Sequence, residues 1–291
     1  MTRRKLLPAD RGLVARMVVA AVLTPLIVVV ALAAVVLEAP TKIVIVTGIA
    51  GVIGAAAMRR ERAAGKHATT VSASQAPELH AVVERLCLLA DLPKPAIVVE
   101  PQRIPNSWVV GTGAGRYRLH LTEGLLERLE PHELEAVIGH ELAHVANRDA
   151  AVMTIVGGPG AMLLGGGVRL LRGGWWVAIS GGLVAAAIGW VASLGTRALS
   201  RYREFAADAG AVALTGNPAA LASALLKVSD GVMAVPSKDL RAVAARDPFH
   251  LLPVAREHSW RTGPPLPATH PSLRARIARL ERMESRLQAA R

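Results

Sequence analysis

Apolar residues gather into four long blocks, and between the blocks they recur at helical or strand spacing. The first block, MVVAAVLTPLIVVVALAAVVLEA from Met17, offers about twenty apolar residues, enough at ~1.5 Å per residue to cross a hydrocarbon layer of ~30 Å. Its Pro25 is tolerable in lipid, where neighbouring groups satisfy the freed backbone. The second block, IVIVTGIAGVIGAAAM (43–58), is shorter and glycine-rich, and EAPTK before it fits a tight hairpin. The third and fourth are AAVMTIVGGPGAMLLGGGVRLL from Ala150 and WWVAISGGLVAAAIGWVASLGTRAL from Trp175. Small residues dominate both, as close helix packing in lipid requires, and Trp175 and Trp176 stand where an interfacial anchor would. A cleaved signal peptide is the alternative for the first block, with ALA at 31–33 as its site. The apolar run continues past that site and another follows at once, which favours a retained helix.

The polar stretches carry shorter periodic elements. VSASQAPELHAVVERLCLLADLP reads as an amphipathic helix, PAIVVE as a short strand, RYRLHL as an alternating strand, and LTEGLLERLEP with the segment after Pro131 as two helices. GVMAVPSKDLRAVAARDPFHLLPVAREHSWRTGPPLP is punctuated by proline and reads as an irregular loop. SLRARIARLERMESRLQAAR aligns Leu273, Ile277, Leu280, Met283 and Leu287 on one stripe, a helix covering a core.

Composition sharpens this picture. Apolar residues make up 52% of the 291 and aromatics only 3%, so the hydrophobic content is aliphatic and blocked. The net charge of +12 invites a nucleic-acid reading. The basic residues, however, flank the apolar blocks: MTRRK with Arg11 and Arg16, RRERAAGK, then Arg197, Arg201 and Arg203. Aromatics for base stacking are scarce and no nucleic-acid motif accompanies the charge, so the expectation is a lipid bilayer and no nucleic acid. Arg169 and Arg172 between the last two blocks oppose this pattern but are outnumbered, placing both chain ends and the polar body in the cytoplasm. Four blocks without mid-membrane charge give no ion path, which argues against a transporter. The single cysteine, Cys87, reads as a small buried hydrophobe.

The chemistry is carried by AVIGHELAHVANRD, residues 136–149. His140 and His144, four apart, leave one helix face and can converge on a metal, while Glu141 faces the attacking water. Leu134, Val137, Ile138 and Val145 give the same helix an apolar side. A catalytic zinc needs a third protein ligand and keeps one position open. SRYREFAADAGA (200–211) supplies Glu204, and Asp208 one turn later can accept the free N–H of a histidine ligand. A solvated acidic face is the alternative, but like charges at that spacing repel unless a cation joins them. Two membrane crossings separate His144 from Glu204, and an even number returns the chain to the side it left.

With PNSWVVGTG, LTEGLL, HELAHVANRD, SRYREFAAD and THPSLRARI in this order, the chain resembles the HtpX-like membrane metallopeptidases, relatives of the CAAX prenyl-protein endopeptidases. The resemblance implies a gluzincin-type zinc endopeptidase with one Zn2+ per chain, His140, His144 and Glu204 as ligands, Glu141 as catalytic base and Asp208 behind a ligand. It further implies His270 as oxyanion stabiliser, with Tyr202 behind it; a cap on the last helix is the alternative for His270. Asn106 and Trp108 fall in the segment that flanks substrate, where the family commonly reads Asn-Ala-Phe and this chain reads Asn-Ser-Trp. That departure puts cleft shape in question, and Trp108 can also be read as a packed aromatic. Extended substrate is expected along the YRLHL strand by edge pairing.

The expected fold class is a mainly α integral membrane protein, with four transmembrane helices plus a gluzincin-like α+β catalytic domain holding a small sheet. Residues 1–66 form a tail and two spans (about 17–38 and 43–58), 67–149 the first catalytic part, 150–199 a membrane hairpin and 200–291 the second catalytic part. The expected location is the cell membrane, with a cytoplasmic catalytic domain acting on polypeptides, in particular membrane proteins under quality control. A catalytically inactive scaffold or chaperone-like binder retaining the metal site is the alternative.

Overall fold

The computed structural model describes residues 11–63, 70–111, 117–172, 176–233 and 270–290. The basic N-terminal stretch, Trp175, the Trp176 side chain and nearly all of the proline-punctuated segment lie outside that description. Two units emerge, one built from 68–150 with 201–291, the other from 11–67 with 151–200.

The second unit holds the apolar helices α1 (Arg11–Glu38) and α2 (Thr41–Ala63) and most of α6 (Asp149–Leu171) and α7 (Trp176–Thr215). Three helices are long and apolar enough to cross a membrane: Ala15–Glu38, Asp149–Leu171 and Ala178–Thr215. The expected fourth, Thr41–Ala57, is apolar but shorter. Glycine sets their spacing. A Cβ on Gly166 would fall onto the carbonyl of Ala50, one on Gly54 onto that of Met162, and one on Gly189 onto the amide of Leu164. Helices pack this tightly only where side chains are absent. Around these contacts Val28, Ala50, Leu163, Ala185, Ile188 and Ala192 form a buried cluster.

In the first unit, α3 (Pro77–Ala90) starts on a proline whose missing N–H costs nothing at a first turn. Next come β1 (Ala96–Glu100), β2 (Ser107–Gly111), β3 (Tyr117–Thr122), the short α4 (Glu123–Leu126) and α5 (Pro131–Ala146). After the apolar helices, α8 (Pro218–Met233) and α9 (Leu273–Ala289) complete it. The strand order is β1-β3-β2, with β1 parallel and β2 antiparallel to β3. This corrects the expected substrate strand: β3, the YRLHL strand, is central and paired on both sides. Residues 70 and 71 bond to β1, so among the described residues the free edge belongs to β2, which periodicity had not marked as a strand.

Leu119 and Leu121 point from β3 into a core with Val83, Leu86, Val137, Ile138, Leu142, Leu221, Leu225 and Leu280. Cys87 sits among them, and burial pushes its thiol up to about 11, as befits an inert hydrophobe. Leu280, Leu273 and Met283 of the C-terminal stripe pack on this core, while Leu287 at its end is exposed. Helix α5 is anchored at its start: Glu130 and Glu133 form a capping box, and buried Glu133 accepts hydrogen bonds from Ser223 (2.6 Å) and Lys227 (2.8 Å) of α8.

Candidate metal centre

Helix α5 has its middle turns completely buried, so His140 (0% exposed) and Glu141 (3%) are held by packing on every side. Gly210 of α7 lies against Ala143, where a Cβ would collide, and this absence lets the two helices approach. Their approach brings Glu204 to the histidines. His140 Nε2 lies 3.1 Å from His144 Nε2 and 3.5 Å from Glu204 Oε2, and His144 Nε2 lies 3.5 Å from Glu204 Oε1. Donors bound tetrahedrally at ~2.0–2.1 Å stand ~3.3 Å apart, so the spacing fits one zinc-sized cation. Among the described residues this is the one group of three or more His, Cys, Asp or Glu side chains placed to hold a metal.

The surroundings of the imidazoles strengthen that fit. Asp208 Oδ1 is 3.0 Å from His140 Nδ1, and Asp149 Oδ2 is 2.6 Å from His144 Nδ1. Each ring donates its Nδ1–H to a carboxylate, so both Nε2 atoms are left toward the cluster, where a metal cation can take the place of a proton. Glu204 Oε2 is buried and accepts no hydrogen bond from the described residues, leaving it available to the same cation. Burial disfavours a charged His140, and Arg276 acts in the same direction. The carboxylates of Asp208 and Glu204 outweigh both and push its pKa up to about 9.

Arg276, fully buried on α9, clamps Asp208 through both oxygens, Nη2 to Oδ1 at 2.6 Å and Nε to Oδ2 at 2.9 Å, and its Nη1 is 3.5 Å from Glu204 Oε2. Burial alone would lower the guanidinium's pKa, but Asp208, then Glu204 and Glu141, raise it and keep Arg276 charged. His270 is buried with Nε2 4.0 Å from Glu204 Oε1, beside the cluster. The cap of α9 is Ser272, whose hydroxyl accepts from the Ala275 amide, so His270 does not serve as one. Tyr202 precedes Glu204 by two residues on α7, about 200° around the axis, and leaves from the opposite face.

Ser107 Oγ donates to Glu141 Oε1 at 2.7 Å, from the face of β2 turned toward α5. Strand alternation sends Trp108 to the other face, where it stacks on His120 (centroids 4.9 Å, interplanar 11°), which in turn meets Glu100 at 2.9 Å. The structure thus places Trp108 away from the cluster, as a packed aromatic. Asn106 is buried at the start of β2, its amide N–H donating to Thr122 Oγ1 at 2.9 Å and its carbonyl accepting from the Thr122 amide. Four residues of the site escaped sequence reasoning: Ser107, Asp149, Arg203 and Arg276. A usable signal existed for Ser107, since a hydroxyl replaces the family's alanine there.

Membrane-crossing helices and a buried His-His-Glu cluster with a glutamate on the adjoining turn define a multi-pass membrane metallopeptidase. The profile of Peptidase family M48 matches residues 73–284, and the chain belongs to this family. It is 41% identical over 238 residues to a Protease HtpX homolog of Moorella thermoacetica, covering 77% of this chain and 78% of that one. To Protease HtpX homolog 1 of Streptomyces coelicolor it is 38% identical over an alignment of 299 positions, covering 97% and 96%. A crystal structure of S. mikatae Ste24p superimposes with a TM-score of 0.49 at 17% identity, over 74% of this chain and 52% of that one. The chain is a metalloendopeptidase, as expected from the HELAH motif.

Proposed function

We propose that this chain is a zinc endopeptidase of the cell membrane that hydrolyses peptide bonds of membrane proteins at the cytoplasmic face, as part of their quality control. One observation carries the reading: ligand atoms of His140 and His144 of α5 and Glu204 of α7 lie within 4.8 Å of one another, and α5 also presents Glu141. Zinc held there would act as a Lewis acid and lower the pKa of a water molecule toward ~7. Glu141 takes the proton of the attacking water and hands it to the leaving amine. His270 is assigned to the developing oxyanion, and Asp208 orients His140. Substrate is read as an added strand on the free edge of β2, which starts beside Asn106 and carries Ser107 next to Glu141. Backbone pairing supplies affinity with little sequence selectivity, which suits misfolded chains. In this reading residues 150–199 are a membrane hairpin inserted between the catalytic parts 67–149 and 200–291. The basic flanks of the apolar blocks favour the cytoplasmic side.

Purified full-length protein is expected to cleave a casein-like substrate, to stop when a chelator strips its metal, and to recover with about one equivalent of Zn2+ per chain. Proteolysis that persists in chelator would overturn the proposal. Ser107→Ala is expected to lower kcat about tenfold, about 1.4 kcal/mol, with zinc content and KM unchanged. The variant loses the bond that dedicates Oε1 of Glu141 to the protein and leaves Oε2 for the proton. Equal kcat for the two proteins would remove Ser107 from the machinery.

A further inference from the structure

Asp149 is 2% exposed and points both carboxylate oxygens inward, Oδ2 to His144 Nδ1 at 2.6 Å and Oδ1 to Arg203 Nε at 2.9 Å. The geometry points to Asp149, backed by Arg203, as the positioning residue that fixes His144 for the metal; this rests on reading His144 as a ligand.

The backbone is bent to achieve that contact. On an uninterrupted helix residue 149 would leave about 140° around the axis from His144 and could not reach it. Helix α5 instead ends at Ala146, Arg148 takes φ 55, and α6 begins at Asp149. A left-handed arginine is strained where glycine would not be, so the turn is held by what it brings together. The Asp149 carboxylate, delivered by that turn, selects the Nδ1–H tautomer of His144 and leaves the Nε2 lone pair toward the cluster.

Arg203 completes the device. It immediately precedes Glu204 on α7, so one turn of helix delivers a metal ligand and the partner that holds the carboxylate behind another ligand. An unpaired carboxylate buried this deeply would be costly, and the guanidinium balances it. His140 has a carboxylate and an arginine behind it too, Asp208 and Arg276, there joined by two hydrogen bonds where Asp149 and Arg203 form an ion pair. Each imidazole is therefore oriented by its own carboxylate–arginine pair. The Asp149 pair joins the C-terminal end of α5, the first residue of α6 and Arg203 of α7 at one point.

Asp149 touches no reacting atom, and its test is metal affinity rather than turnover. Full-length protein in detergent would be titrated with Zn2+ against a chromophoric chelator, and with Co2+ for its ligand-field absorption. Asp149→Ala is expected to bind zinc about 10–100-fold more weakly with a shifted Co2+ band. Asp149→Asn, whose amide oxygen still accepts, should lose severalfold, Arg203→Gln should fall between wild type and Asp149→Ala, and Arg203→Lys should recover most of the affinity. His144→Ala separates the two levels of the argument. Wild-type zinc affinity in His144→Ala would refute the ligand reading. Zinc lost from His144→Ala but retained with an unshifted Co2+ band in Asp149→Ala would refute the positioning role, leaving Asp149 only an N-terminal residue of α6. If Asp149→Ala does not fold, the near-isosteric Asp149→Asn decides by the same two measurements.

Discussion

Glu141→Gln protein is expected to carry a full equivalent of zinc while its kcat falls about 10³-fold, on the order of 4 kcal/mol of lost transition-state stabilisation. The substitution is conservative because of Ser107. A glutamine at 141 can offer its carbonyl to the Ser107 hydroxyl, which now donates to Glu141 Oε1 at 2.7 Å, and turn its NH2 toward the ligand cluster. That NH2 has no lone pair to take a proton from water. Packing should be unchanged, since position 141 is buried within α5 and the two side chains have the same volume. His140, His144 and Glu204 are untouched, so the metal stays. Single-turnover rates on a casein-like substrate, with zinc measured on the same preparation, test both halves. Near-wild-type cleavage would remove Glu141 as the base, and loss of zinc would show that it helps hold the metal.

Much of this centre was legible because it obeys local rules. Two histidines four apart on a helix with an apolar opposite side need no tertiary information to be placed on one face, and Glu204 with Asp208 repeats that spacing. The membrane segments announced themselves by length, although Thr41–Ala57 falls short of the others and draws its place from glycine contacts such as Gly54 with Met162. The parts that stayed hidden depend on backbone geometry or distant pairing. Asp149 lies five residues past His144, a spacing that makes no helical contact, and it reaches the ring only because Arg148 turns left-handed. Strand β2 is a run of five residues whose partner, β3, is recognisable by alternation while β2 is not. With β2 unseen, β3 looked like an edge. Arg276 hid in plain sight, one of several arginines on an amphipathic C-terminal helix, although its place three residues after Leu273 and four before Leu280 sets it on the apolar stripe. Its burial is dictated by Asp208 and Glu204, about seventy positions away.

Arg276→Met is expected to destabilise the protein by about 3–5 kcal/mol, and to do so more severely once the metal is stripped. The guanidinium is fully buried, clamps Asp208 at 2.6 and 2.9 Å and flanks Glu204 at 3.5 Å. Methionine fills a similar volume, so the loss is electrostatic rather than a cavity. Two carboxylates then share a site of low dielectric with no fixed positive charge from α9 to balance them. Bound Zn2+ offsets part of this deficit and the imidazole N–H of His140 part of the rest; chelation withdraws the first. Thermal unfolding of wild type and variant, each with zinc and with chelator, should therefore show a gap that widens on metal removal. The double variant Arg276→Met with Asp208→Leu should regain much of the lost stability, since an apolar pair can replace a buried ion pair at little cost. It should not regain zinc affinity, because His140 would have lost the acceptor that orients it. A gap of equal size in zinc and in chelator would instead mean that Arg276 supports only the packing of α9.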